Sequence, residues 1–246
     1  MLDQPFAGAG YLFRGLRLIA VPGLRRYVAL PLLINVLVFG GLLWLAVDQF
    51  GALVDTIMPA LPEWLMWLAW LLWLLFGLAA AVLVFFPFSV VANLIAAPFN
   101  DLLAEAVERR LSGQGPPGGG GLWQALKGAP RAMFDELRKL GYFVKWAVPI
   151  LILFVIPGVN LVAPIVWAVF TAWMLAIEYA DYPMGNHDLR GREQRRILAG
   201  RRGLSLGFGG AVMLGTMVPI ANFLVMPAAT AGAAALWVER LRSEST

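Results

Sequence analysis

The sequence predicts an all-α integral membrane protein. It has two long transmembrane helices, two partly penetrating (re-entrant) helical hairpins and amphipathic cytoplasmic helices. Three observations lead there. Of 246 residues, 60% are hydrophobic and 14% charged, where a soluble domain carries about 25% charged residues. Four stretches hold no Asp, Glu, Lys or Arg: 27–47, 64–100, 146–177 and 203–238. The 19 Lys and Arg fall in segments that can all lie on one side of a membrane.

The composition also excludes classes. A soluble chain of this length has too little interior for so much apolar surface. Disorder needs the opposite balance. Zero Cys excludes a disulfide scaffold and any Cys-ligated metal site. Ten Trp suit membrane interfaces. The net charge is only +4, and the basic residues flank apolar runs. They read as topology signals and anion contacts, so no nucleic-acid partner is expected.

The elements follow in chain order. Arg14, Arg17, Arg25 and Arg26 precede the first apolar run without a small-residue cleavage site, so no signal peptide is expected. Residues 27–47 match one crossing, which takes about 20 residues. Residues 64–100 are too long for one, and Pro87 divides them. The first part, 64–86, is a spanning helix with Trp64, Trp67 and Trp70 at one end; 88–100 is too short to cross.

Residues 101–145 and 178–202 read as cytoplasmic connections, and 1–246 as a single membrane domain. Residues 101–111 form an amphipathic helix with Leu103, Val107 and Leu111 on one face and a Glu105–Arg109 pair in the favourable i,i+4 order. Residues 112–121 are a flexible Gly-rich loop, not a phosphate loop, since no Gly-Lys-Ser/Thr follows. Residues 122–145 carry a helical stripe from Leu122 to Val144, read as a helix lying on the membrane, with Asp135 pairing Arg131 and Lys139. Residues 178–202 hold Glu178, Asp181, the sole His187 and six arginines that face water or lipid phosphate.

The two remaining apolar stretches share a design. Residues 146–177 break at Pro157-Gly158 into arms of about 11 and 19 residues, and 203–238 break around Pro219 to Asn222 into arms near 16. Short apolar arms are often re-entrant. Charge supports this. The segment before residue 27 has four Lys and Arg, 48–63 none, 101–145 seven, 178–202 six and the tail two. If 146–177 and 203–238 return to their starting side, every basic residue lies inside, as the positive-inside rule favours. Both termini are then cytoplasmic. Two tilted crossings per hairpin would give the same count.

A weak repeat runs through the breaks: Asn-Leu-Ile-Ala-Ala-Pro (93–98), Asn-Leu-Val-Ala-Pro (160–164) and Asn-Phe-Leu-Val-Met-Pro (222–227). Asn93, Asn160 and Asn222 either cap helix starts or line a polar path at mid-membrane. With one His and no Cys, no metal cluster, catalytic site or cofactor is expected. No Walker motif is present. None of the four stretches holds a carboxylate. A path of backbone dipoles, Asn side chains and mouth arginines suits an anion.

The strongest anion chemistry lies at Pro22-Gly23-Leu24-Arg25-Arg26. Gly lets the backbone turn and present N–H groups. A helix start adds positive dipole. Two arginines add charge and forked donors for a tetrahedral oxyanion. Arginines before a first span are also ordinary topology determinants. Gly15-Leu16-Arg17 is a partial copy.

Motifs along nearly the whole chain carry a family resemblance. They are Pro-Gly-Leu-Arg-Arg (22–26), Asn-Leu-Ile-Ala-Ala-Pro-Phe-Asn (93–100), Leu-Leu-Ala-Glu (102–105), Ala-Trp-Met-Leu-Ala-Ile-Glu-Tyr (172–179), Asp-Tyr-Pro (181–183) with Asn186-His187, Phe-Gly (208–209) and Val-Pro-Ile-Ala-Asn-Phe-Leu-Val-Met-Pro (218–227). The chain resembles the CysZ family of bacterial sulfate permeases, related to the broader EI24 membrane family. Met184-Gly185 departs from the Phe and acidic residue of relatives. The resemblance implies an inner-membrane sulfate permease or channel, non-enzymatic, supplying cysteine synthesis. It implies a homo-oligomer in membrane lipid and a sulfate site at Gly23, Leu24, Arg25 and Arg26. Asn93, Asn100, Glu105, Arg109, Asn160 and Asn222 are candidates for the pathway or its mouth. A non-transporting EI24-type scaffold or regulator is the other class.

Overall fold

The computed structural model describes residues 3–57, 59, 62, 67–117 and 121–242. Trp64, Gly119 and the side chains of Asn93, Leu122 and Arg131 lie outside the described residues. Among the described residues every regular element is helical: α1 (Asp3–Ile19), α2 (Arg26–Ile57), α3 (Trp67–Ser112), α4 (Gly121–Leu153), α5 (Ala163–Gly185), α6 (Arg192–Gly200), α7 (Arg202–Thr216) and α8 (Pro219–Leu236). A 3₁₀ turn, Val159–Leu161, precedes α5, and a π-helical turn, Trp237–Leu241, follows α8. The chain divides into two compact units, residues 29–97 and residues 1–28 with 98–246.

In the first unit the apolar side chains of α2 turn outward: Val36, Leu37, Leu42 and Trp44 are exposed. Phe50 stacks on Phe76 with ring centroids 4.1 Å apart and meets Trp73 edge-on at 4.9 Å. Such a helix, apolar all round, suits lipid. It runs past the expected end at Val47 to Ile57, through Asp48 and Asp55.

The second unit has a true core. The α1 helix packs against α7 and α8, and α5 packs against α7 and α8. Glycine sets the spacing at two crossings: a Cβ on Gly15 would stand 1.8 Å from the Ala228 carbonyl oxygen, and one on Gly209 would stand 1.8 Å from that of Ala172. Tyr11, Leu12 and Ile19 of α1 are buried there with Ile177, Phe208, Val212 and Trp237. The partial copy at Gly15 therefore serves packing.

Both hairpin breaks exist. The first occupies residues 154–162, with Gly158 at φ +83°. The second is the turn at Met217–Val218; Pro219 opens α8, where its missing N–H costs nothing. This places the second break before the expected Pro219–Asn222. Around both tips Val155, Leu161, Met217, Val218, Phe223 and Leu224 are exposed.

Several expectations need correction. Pro87 does not divide the second apolar stretch; α3 is continuous from Trp67 to Ser112, and 101–111 is its last part. Apolar helices tolerate Pro better than soluble ones because freed backbone groups find other partners. The 122–145 segment is not a separate surface helix. It continues into the first hairpin arm as α4. Neither Asn160 nor Asn222 caps a helix: Val162 and Val218 occupy those positions, without side-chain caps, and Asn222 lies inside α8. Asp135 pairs with Arg138 and Arg190, while Lys139 binds elsewhere.

Two helices are long and apolar enough to cross a membrane among the described residues, α2 over Arg26–Thr56 and α5 over Ala163–Gly185. The first contains the expected 27–47 span. The second is an expected hairpin arm, which runs past residue 177 to Gly185 with Tyr179, Ala180, Pro183 and Met184 buried in the core. The 15 residues of α7 reach about 22 Å at about 1.5 Å per residue, short of the roughly 30 Å hydrocarbon core.

Candidate functional site: the turn between α1 and α2

The chain leaves α1 at Ile19 and re-enters helix at Arg26. Gly23 sits at φ +94°, a region L side chains rarely adopt. The N–H groups of Leu24 and Arg25 both donate to the Val21 carbonyl, at 3.1 and 3.3 Å. Leu24 is only 4% exposed and anchors the turn in the core. So Leu24 does not present the free N–H that sequence reasoning expected of it; its side chain fixes the turn instead. The Gly23 N–H has no backbone acceptor among the described residues.

The arginines face out. Arg25 and Arg26 are exposed. Arg26 donates from Nη2 to the Tyr27 hydroxyl at 2.9 Å, and its guanidinium carbon lies 4.9 Å from that ring's centroid. Among the described residues no carboxylate pairs with either arginine. Two forked cations beside a helix start and an open glycine N–H can hold a tetrahedral dianion.

The structure joins some other candidates. On α3, Arg109 pairs with Glu105. Asn100 is buried and donates from Nδ2 to the Tyr182 hydroxyl at 3.4 Å. Asn160 is exposed in the 3₁₀ turn, and Asn222 is partly buried in the first turns of α8. Among the described residues no hydrogen bond or ion pair links these groups to Arg25 or Arg26.

Sequence reasoning missed a charged cluster on α4, α5 and α6. Lys139 Nζ lies 2.9 Å from Glu136, 2.7 Å from Glu178 and 2.9 Å from Asp181. Burial opposes its charge, but the carboxylates of Asp181 and Glu178 outweigh that and hold it protonated. Gln194 Nε2 donates to Asp181 at 2.6 Å. Nearby, burial and then repulsion from Asp181 raise the Asp101 carboxyl to about 7, against the pull of Arg190. Arg190 binds Asp135 at 2.5 Å and holds that carboxyl below its usual range. Glu108, fully buried, accepts His187 Nε2 at 2.7 Å and Arg242 Nη1 at 3.4 Å on one oxygen. The i,i+3 carboxylates Glu178 and Asp181, ending an apolar run, were the available signal. A cleft of about 340 Å³ over Lys139, Phe143 and Glu178 belongs to this cluster, and its carboxylates repel an anion. Among the described residues no group of three metal-ligating side chains gathers.

Comparison with known proteins gives a consistent result. A family model described as sulfate transporter CysZ/etoposide-induced protein 2.4 matches residues 11–227. A sulfate transporter CysZ of Pseudomonas fluorescens (strain Pf0-1) is 46% identical over 239 residues, 97% of this chain and 96% of that protein. One from Pectobacterium atrosepticum is 44% identical over 244 residues, 99% of this chain and 88% of its own length. One from Pseudomonas aeruginosa (strain LESB58) is 45% identical over 235 residues, 94% of each chain.

Proposed function

The chain belongs to the EI24 family of sulfate transporter CysZ and etoposide-induced protein 2.4, and from that premise we propose that it carries sulfate across the bacterial inner membrane. The observation that carries this reading is near-full-length identity of 46% to a relative named as a sulfate transporter. The exposed Arg25 and Arg26 on the Gly23 turn add a fitting anion site. These relatives favour transport over a scaffold or regulatory role, and a supply of sulfate for cysteine synthesis accords with it.

In this reading Arg25 and Arg26 replace water around the dianion with charge-assisted hydrogen bonds. The Gly23 N–H adds a neutral donor, and Leu24 keeps the turn in place. The path then follows Asn100, Asn160 and Asn222, with Glu105 and Arg109 at a mouth. Support for the path is the loss of any capping role for Asn160 and Asn222, polar groups at otherwise apolar tips. The α4–α5 and α7–α8 hairpins penetrate from the inside without crossing, both termini are cytoplasmic, and the chain works as a homo-oligomer. The absence of Lys and Arg from 48–63 and the 15-residue length of α7 support that topology.

Radiolabelled sulfate uptake into liposomes containing only the purified chain tests the proposal. Uptake should exceed that of protein-free vesicles and fall with excess unlabelled sulfate. Uptake equal to that of protein-free vesicles contradicts it.

A further inference from the structure

We propose that Arg192 and Arg196 on α6, with Arg202 at the start of α7, form a binding surface for the headgroup phosphates of anionic phospholipids. The proposal rests on the membrane placement above, not on the sulfate site.

The α6 helix is pinned from one side only. Ile197 and Leu198 are buried, and buried Gln194 donates to Asp181 at 2.6 Å and to the Leu189 carbonyl at 2.9 Å. Its other face shows Arg192 and Arg196, exposed one turn apart. Arg202, also exposed, follows two residues beyond the helix end.

Other arginines of this unit are engaged. Arg190 binds Asp135, Arg14 binds Glu239, Arg109 binds Glu105, and Arg195 lies 4.5 Å from the Tyr142 ring centroid. Among the described residues Arg192, Arg196 and Arg202 have no carboxylate partner. Glu193 is the only acid on α6 and subtracts one charge. Two unpaired guanidiniums on a helix fixed from behind, with a third at the start of the next helix, make a preorganised anion surface.

Position selects the anion. Arg202 opens α7, whose 15 residues, about 22 Å, lead to the exposed apolar tip at Met217 and Val218. If that tip lies in hydrocarbon, Arg202 lies near the phosphates of the leaflet from which the hairpin enters. Basic residues there gain about 1 kcal/mol each from an anionic surface, about fivefold in affinity.

Native mass spectrometry of the purified full chain in detergent, titrated with phosphatidylglycerol or phosphatidylcholine, tests this. Phosphatidylglycerol should bind more tightly than phosphatidylcholine. The Arg192→Gln, Arg196→Gln, Arg202→Gln triple variant should bind phosphatidylglycerol about a hundredfold more weakly. The corresponding triple Lys variant should keep most of the affinity, because the attraction is that of a charged surface. Sulfate affinity should be unchanged in both, which separates this proposal from the sulfate site. Native phosphatidylglycerol affinity in the triple Gln variant overturns the proposal. So does equal binding of the two lipids, or an equal loss in the Lys variant. Displacement of phosphatidylglycerol by inorganic sulfate or phosphate at concentrations that fill the Gly23–Arg26 site also overturns it, assigning these arginines to free anions.

Discussion

The α2 helix of the first unit and the α5 helix of the second are both apolar enough to cross a membrane, yet 6% of one and 39% of the other is buried within the protein. Passing the same test of length and apolar composition does not reveal this difference in use. Residues 29–97 offer Leu37, Leu42 and Trp44 to their surroundings. In the second unit Ala176, Ile177 and Ala180 of α5 join a core, while Ile165 and Val169 near the hairpin tip stay exposed. The comparison teaches that apolar content marks a membrane protein, whereas the spacing of small residues decides which helices pack on protein. In the second unit polar networks gather at the ends of α5 and α8 remote from the tips.

Glycine substitutions test that contrast with the largest effect. Gly15→Val drives a branched side chain into the Ala228 backbone, where even a Cβ would lie 1.8 Å from oxygen. We expect a loss above about 4 kcal/mol or no folded protein. Gly41→Ala meets nothing within 4 Å, so it should be neutral or gain about 0.5–1 kcal/mol of helix stability. Thermal denaturation in detergent reads both. Tolerance at Gly15, or collapse at Gly41, breaks the distinction between the two units.

A smaller effect sharpens the polar end of the second unit. Asp101 titrates near 7 in the folded chain, raised from 3.8. Folding therefore favours its neutral form. The stability this adds is complete below about pH 4 and lost as pH rises to about 7. Asp101→Asn keeps the group neutral throughout. The melting temperature of the native chain should fall relative to the variant between those limits, by the equivalent of about 2–4 kcal/mol. Parallel pH–stability curves for the two proteins would contradict the burial of Asp101 and, after it, its repulsion by Asp181.

How much of this was legible depends on range. The break at Pro157-Gly158 was readable because Pro lacks a donor and Gly158 takes a positive φ. The Gly23–Arg26 turn was readable because its glycine and arginines are contiguous. The Glu105–Arg109 pair is a one-turn contact and was found. The core role of α1 was not, since Tyr11, Leu12 and Ile19 alternate with glycines whose use appears only against α7 and α8. Lys139 was missed for a similar reason: two of its carboxylates lie about 40 positions away, on α5. The Asn repeats misled toward capping because a Val holds each cap position, Val162 two residues after Asn160 and Val218 four before Asn222.

The central claim is that the α1–α2 turn binds sulfate through Arg25 and Arg26. The most direct measurement is the equilibrium affinity of purified Arg25→Ala, Arg26→Ala and double-Ala variants for sulfate in detergent. Hydrogen bonds to charged groups contribute about 1.5–3 kcal/mol each, so each single change should weaken binding about tenfold or more. Lys at either position should restore only part, since it keeps charge but loses the fork. Native affinity in the double-Ala variant, or complete rescue by Lys, would leave these residues with a topological role alone and contradict the site.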